Sequence, residues 1–133
     1  MGFGKSDRRG LSTLQGIRAL VVEDGWAVAE ALKLSLERLG MVVVGQVATA
    51  GEARRMAAEH RTDLAIVDVN LQGERGYELM DWLHDRGTKV IVISGYEHLP
   101  RSLEKFAAIL HKPFTPTMLL TTLQRVMERC PTP

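Results

Sequence analysis

The sequence predicts an α/β protein built as a three-layer doubly wound sandwich of five βα units, and two observations predict it. Five short apolar runs rich in β-branched residues alternate with five stretches of helical periodicity. Residues able to do chemistry gather where the apolar runs stop, at the carboxyl ends where parallel sheets bind ligands. Right-handed crossovers then put helices on both faces of the sheet.

The apolar runs are Ile17 to Val22, Val42 to Val47, Leu64 to Val67, Val90 to Ile93 and Ala108 to Leu110. Between the first two, Val28, Ala31, Leu32, Leu36 and Leu39 repeat at helical spacing, and Gly40 supplies a left-handed residue to end the helix. Thr49 and Glu52 form a capping box for the next helix, whose buried stripe is Ala53, Met56 and Ala57. A third helix from Tyr77 to Arg86 buries Leu79, Met80 and Leu83 and stops at Gly87. A fourth, near Arg101 to Phe106, has few apolar positions and is expected to pack weakly. The fifth opens with Thr115 as N-cap and Pro116 at its first position, and Leu119, Leu123, Val126 and Cys130 trace its apolar face.

A chain of 133 residues, 45% hydrophobic and 25% charged, has the size of one globular domain. Residues 17–130 are expected to fold, with 1–16 a flexible N-terminal extension and 131–133 a tail. A formal net charge of +1 with interspersed signs provides no field for nucleic acid or an anionic membrane. Lys5, Arg8 and Arg9 read as part of a solvated tail. No apolar stretch reaches the roughly 18 residues of a membrane span, and the first ten residues lack a secretory core, so a cytoplasmic location is expected. The single cysteine, Cys130, rules out an internal disulfide, and His60, His84, His98 and His111 lack metal-ligand spacing. Trp26 and Trp82 read as packing residues.

The first run ends in Glu23 and Asp24, the third in Asp68, the fourth in Ser94 and the fifth in Lys112. Carboxylates crowded on one rim raise one another's pKa, so the cluster needs a cation, and Mg²⁺ accepts hard oxygen ligands in an open site. With Asp68 as nucleophile toward phosphorus, Mg²⁺ on one side and the Lys112 ammonium on the other would neutralise the charge on the phosphoryl oxygens.

Four pieces stand in order along the chain: Val-Val-Glu-Asp ending at Asp24, Ile-Val-Asp-Val-Asn around Asp68, Ile-Ser-Gly at Ser94, and His-Lys-Pro-Phe at Lys112. On these the sequence resembles, from about Ile17 to Arg129, the receiver domains of bacterial response regulators in two-component systems. The resemblance implies a flavodoxin-like fold with parallel strand order 2-1-3-4-5. It implies Asp68 as phosphoacceptor, with Asp68, Asp24, Glu23 (partly through water) and the Asn70 backbone carbonyl around Mg²⁺. Ser94 and Lys112 would contact the phosphoryl oxygens, and the Lys112–Pro113 bond would be cis. A histidine kinase or histidine phosphotransfer protein would supply the phosphoryl group, and a downstream protein would read it. A homodimer stays open. Such a domain promotes only its own phosphorylation and dephosphorylation and is otherwise no enzyme. If the chain is complete, output must pass through protein contacts or phosphate relay.

The chain departs from the receiver pattern in two places. Ile109 stands where many receivers carry a switching aromatic residue, and Gln72 replaces a common proline, so the loop after the third strand is expected to take another path. Ser94, Gly95 and Tyr96 are similar to the Thr-Gly-Tyr end of a motif in a stand-alone receiver class nicknamed FAT GUY, though the motif's phenylalanine is absent. Ser94, Tyr96 and Ile109 are therefore the switch candidates, with Tyr96 the nearest aromatic. Two alternatives remain. One is a pseudo-receiver binding module that works without phosphorylation. The other is an aspartyl-nucleophile phosphatase of the haloacid-dehalogenase type, against which Asn70 stands, since it cannot donate a proton as the second aspartate does.

Overall fold

Apolar runs without polar interruption form strands buried on both faces, and three of them make the middle of the sheet. These are β1 (Arg18–Val22), β3 (Leu64–Asp68) and β4 (Lys89–Ser94). The less buried β2 (Val42–Val47) and β5 (Ala108–His111) form the edges, which gives the all-parallel order β2-β1-β3-β4-β5 that was expected. The computed structural model describes residues 14–71, 74–95 and 101–128.

Helices α1 (Trp26–Arg38) and α4 (Pro116–Glu128) cover one face, where Leu32, Leu36, Leu119 and Leu123 pack with Val21, Ile66 and Ile93. Helices α2 (Ala50–Glu59) and α3 (Tyr77–Asp85) cover the other, where Ala53, Leu79, Met80 and Leu83 pack with Leu20, Val67 and Val92. The caps act as the sequence indicates. Thr49 Oγ1 accepts from the Glu52 amide at 3.2 Å, Thr115 Oγ1 accepts from the Met118 amide at 3.1 Å, and Gly40 ends its turn at φ 86°. The guanidinium groups of Arg86 and Arg54 lie 4.5 and 5.8 Å from the Trp82 ring, so cation–π contacts join α2 to α3.

Four sequence expectations are corrected. The stripe of α1 runs through Ala29, Leu32 and Leu36, while Val28 and Ala31 are exposed. Both i−3 and i−4 from Leu32 satisfy helical periodicity, so the period alone does not choose between Ala29 and Val28. The fourth helix is a 3-10 stretch, Arg101–Lys105, too short for α-helical cooperativity. Yet its packing is not weak, because Leu103 and Phe106 are buried, His84 meets Phe106 edge-on at 5.7 Å, and Lys105 pairs with Asp81. Trp26 is no packing residue, being 75% exposed.

The fourth correction concerns the N-terminal boundary. Leu14, assigned to the flexible extension, is fully buried in the α1/α4 core, and the Gly16 amide donates to the Gly40 carbonyl at 2.9 Å. An isolated leucine ahead of the first strand carries no periodic signal, so only the three-dimensional packing reveals it. Cys130 lies outside the described residues. Leu14→Ala is expected to cost about 2–4 kcal/mol, the usual range for a cavity in a core. Urea denaturation checks this, and an unchanged midpoint would return Leu14 to a solvated extension.

Candidate functional site

Register decides what meets at the rim. Val22 lies across from both Val47 and Val67, Asp68 from Ile93, and Ser94 from His111. The residues that end or follow these strands therefore emerge within a residue or two of one level, Glu23 beside Asp68, then Ser94, then Lys112. Glu23, Asp68 and Ser94 are nearly closed off from solvent, whereas Asp24 is exposed. Lys112 follows β5, with its peptide bond to Pro113 cis and its amide donating to the Ser94 carbonyl at 2.8 Å.

One ammonium joins two of the acids. Lys112 Nζ donates to Asp68 Oδ2 at 2.8 Å and to Glu23 Oε1 at 2.9 Å. Backbone amides hold the other carboxylate oxygens: Gly25 donates to Glu23 Oε2 and Asn70 to Asp68 Oδ1, each at 2.9 Å. Both are amides two residues beyond the acid. Reasoning from sequence missed them, although an acid followed at i+2 by an available amide is the ordinary side-chain turn of such residues.

Burial raises the Glu23 carboxyl above its ordinary value, and neighbouring Asp68 adds to this, against the Gly25 amide and Lys112, which pull it down. For Lys112 burial acts to lower the pKa, but hydrogen bonds and attraction from Asp68 and Glu23 outweigh it, so the ammonium is held above its usual range. Two acids from different strands thus share one ammonium.

Glu23, Asp24 and Asp68 each present a carboxylate oxygen, all within 4.8 Å of one another. This donor set of hard oxygens, with one member open to solvent, fits Mg²⁺ and lacks the His or Cys that zinc prefers. Asn70 is exposed and opens a short antiparallel pairing of Asn70–Leu71 with Glu74–Arg75. Ile109 is not at the rim but half-buried among the α2/α3 core residues. Tyr96 and Gln72 lie outside the described residues.

The response regulator receiver domain model matches residues 19–124. A Bacillus subtilis protein named as an uncharacterized transcriptional regulatory protein, YbdJ, is 30% identical over 120 residues, 86% of this chain and 52% of its own length. The transcriptional regulatory protein GltR of Pseudomonas aeruginosa is 31% identical over 122 residues, 86% of this chain and 50% of its own. The chain thus spans about half the length of these curated relatives. Among solved structures, a CheY-like receiver domain protein from Methanospirillum hungatei superposes with a TM-score of 0.77 at 30% identity, covering 86% of this chain and 95% of that one. The receiver domain of Erythrobacter litoralis PhyR superposes at 0.78 and 22% identity, covering 90% and 96%, a likeness of fold.

Because the folded state raises the Glu23 pKa, its stabilising contribution is complete below the ordinary 4.5 and is lost as pH rises through the raised value. Lys112, itself raised, stays charged across that window. In chelator, wild type is expected to lose melting temperature relative to Glu23→Gln as pH goes from 4.5 toward neutrality. Thermal melts across pH check this, and parallel curves for the two proteins would contradict the assignment.

Proposed function

The chain belongs to the response regulator receiver domain family, and on that premise we propose that it accepts a phosphoryl group on Asp68 and signals through protein contacts. The observation that carries the reading is the Lys112 ammonium seated between Asp68 and Glu23 in a cluster of three acids. An aspartate fixed in this way, beside a site suited to a divalent cation, is equipped for attack on phosphorus.

In this reading Glu23, Asp24, Asp68 and the Asn70 carbonyl hold Mg²⁺, which when bound supplies charge neutralisation at the phosphoryl oxygens. The donor is the phosphorylated imidazole of a histidine kinase or histidine phosphotransfer protein. A bond forms between a carboxylate oxygen of Asp68 and phosphorus as the bond from phosphorus to the imidazole nitrogen breaks, and the imidazole leaves with the electron pair. The Asn70 amide on Oδ1 orients the carboxylate for that attack. Lys112, already against Oδ2, then follows the negative charge onto the phosphoryl group. The buried Ser94 at the end of β4 donates its hydroxyl to a phosphoryl oxygen, and the change travels through the backbone after β4. Ile109, paired with Val92 and half-buried in the α2/α3 core, and Tyr96 carry the signal toward a downstream protein. The domain acts on no separate substrate, works in the cytoplasm, and the acyl phosphate is its only covalent product.

Labelling by acetyl phosphate and Mg²⁺ on a phosphate-affinity gel tests the reading. Wild type should shift and Asp68→Asn should not, while both melt at similar temperatures, because asparagine removes the nucleophile and keeps size and polarity. A labelled Asp68→Asn protein would overturn the assignment. Failure of wild type to label would favour a binding module that works without phosphorylation.

A further inference from the structure

The peptide that carries the phosphoacceptor is fixed by bonds on both sides. Val69 donates its amide to the Ile93 carbonyl at 3.0 Å, and its own carbonyl accepts from the Gly76 amide at 2.9 Å. Between these anchors the chain makes the excursion from Asn70 to Arg75, in which Asn70 pairs with Arg75 and Leu71 with Glu74. Gly76 closes the excursion and starts α3, and the Met80 amide donates back to its carbonyl at 2.9 Å.

Gly76 is buried, and a Cβ built on it would lie 3.1 Å from the backbone oxygen of Asp68. It would also lie 3.4 Å from Met80 Cε and from Val67 Cγ1, which are ordinary contacts. The carbonyl contact is different in kind, because it is backbone at the end of a central strand and cannot swing aside. Conformation does not require glycine here: φ is −77° and ψ 13°, which any residue adopts. Removing glycine from such a position ordinarily stabilises a protein, since the unfolded chain loses freedom. What remains to explain the glycine is space against Asp68.

We infer that Gly76 is a positioning residue for the phosphoacceptor: its missing side chain lets the closed hairpin pull residues 68–70 into the geometry that aims the Asp68 carboxylate and the Asn70 peptide at the cation site. The inference rests on the phosphoacceptor reading and adds a residue eight positions beyond Asp68. Any Cβ at this point presses on the Asp68 carbonyl. Displacement of that carbonyl rotates the Asp68–Asn70 segment, whose Asn70 amide holds Oδ1 and whose Asn70 carbonyl the proposed function assigns to the cation.

The test compares Gly76→Ala with Gly51→Ala, since Gly51 is exposed on α2 with nothing within 4 Å of an added Cβ. Three quantities are read: acetyl phosphate labelling rate, the Mg²⁺ concentration at the midpoint of its thermal shift, and the melting temperature in chelator. Misplacement by about 1 Å costs about a hundredfold, so a shift of a few tenths of an ångström should slow labelling roughly threefold to tenfold. Gly76→Ala should also raise the Mg²⁺ midpoint and move the Val69 and Asn70 amide resonances, with a melting temperature in chelator close to wild type. Gly51→Ala should change none of these except to leave or raise the melting temperature. Labelling and Mg²⁺ midpoint unchanged in Gly76→Ala would overturn the inference, as would a melting temperature far below wild type, which would assign the glycine to folding. If wild type fails to label, the phosphoacceptor reading falls. The Mg²⁺ midpoint and the two amide resonances then decide the positioning role alone.

Discussion

Two buried carboxylates from different strands stay side by side in this protein because one ammonium stands between them. Without Lys112 the Glu23 and Asp68 side chains, which the register of β1 and β3 sets side by side, would repel across a poorly solvated gap. Everything else at the rim follows from that arrangement. The Gly25 and Asn70 amides take the carboxylate oxygens the lysine leaves, and Asp24 stands outward as the solvent-facing member of the acid cluster.

The sheet exists to make the arrangement reproducible. Parallel register places Val22, Val67 and Val92 in one row, so Glu23 and Asp68 reach one level and Ser94 stands one residue beyond it, without any loop having to search for the place. The apolar layers on the two faces hold those strands in place, with leucines from α1 and α4 on one side and from α3 on the other. The α2 contribution is smaller, through Ala53 and Ala57, and its tie to α3 is strengthened by the Trp82 ring lying against two guanidinium groups.

Most of this was legible in the sequence because strands and acids obey strong local rules. An uninterrupted run such as Leu64 to Val67 can only be buried on both faces, and the residue that ends it must surface at the ligand-binding edge. What stayed hidden depends on geometry that no short window encodes. Val28 and Ala29 satisfy the same helical period, and the folded helix buries only Ala29. Leu14 belongs to no repeat, yet it fills the core, and Trp26 in the first turn of α1 stands in solvent. The amides that orient the acids were invisible for a different reason, since backbone groups carry no letter of their own.

Sharing one lysine among acids on separate strands also shapes how such a site can change over generations. A substitution that removes Lys112 leaves Glu23 and Asp68 facing each other unscreened, and one that removes either acid leaves the ammonium half-satisfied. Single steps in any of the three are therefore worse than their sum would suggest, and the second change repairs part of the damage done by the first. A descendant chain that abandons this chemistry should accordingly shed the residues together, and one that retains any two should be under pressure to keep the third.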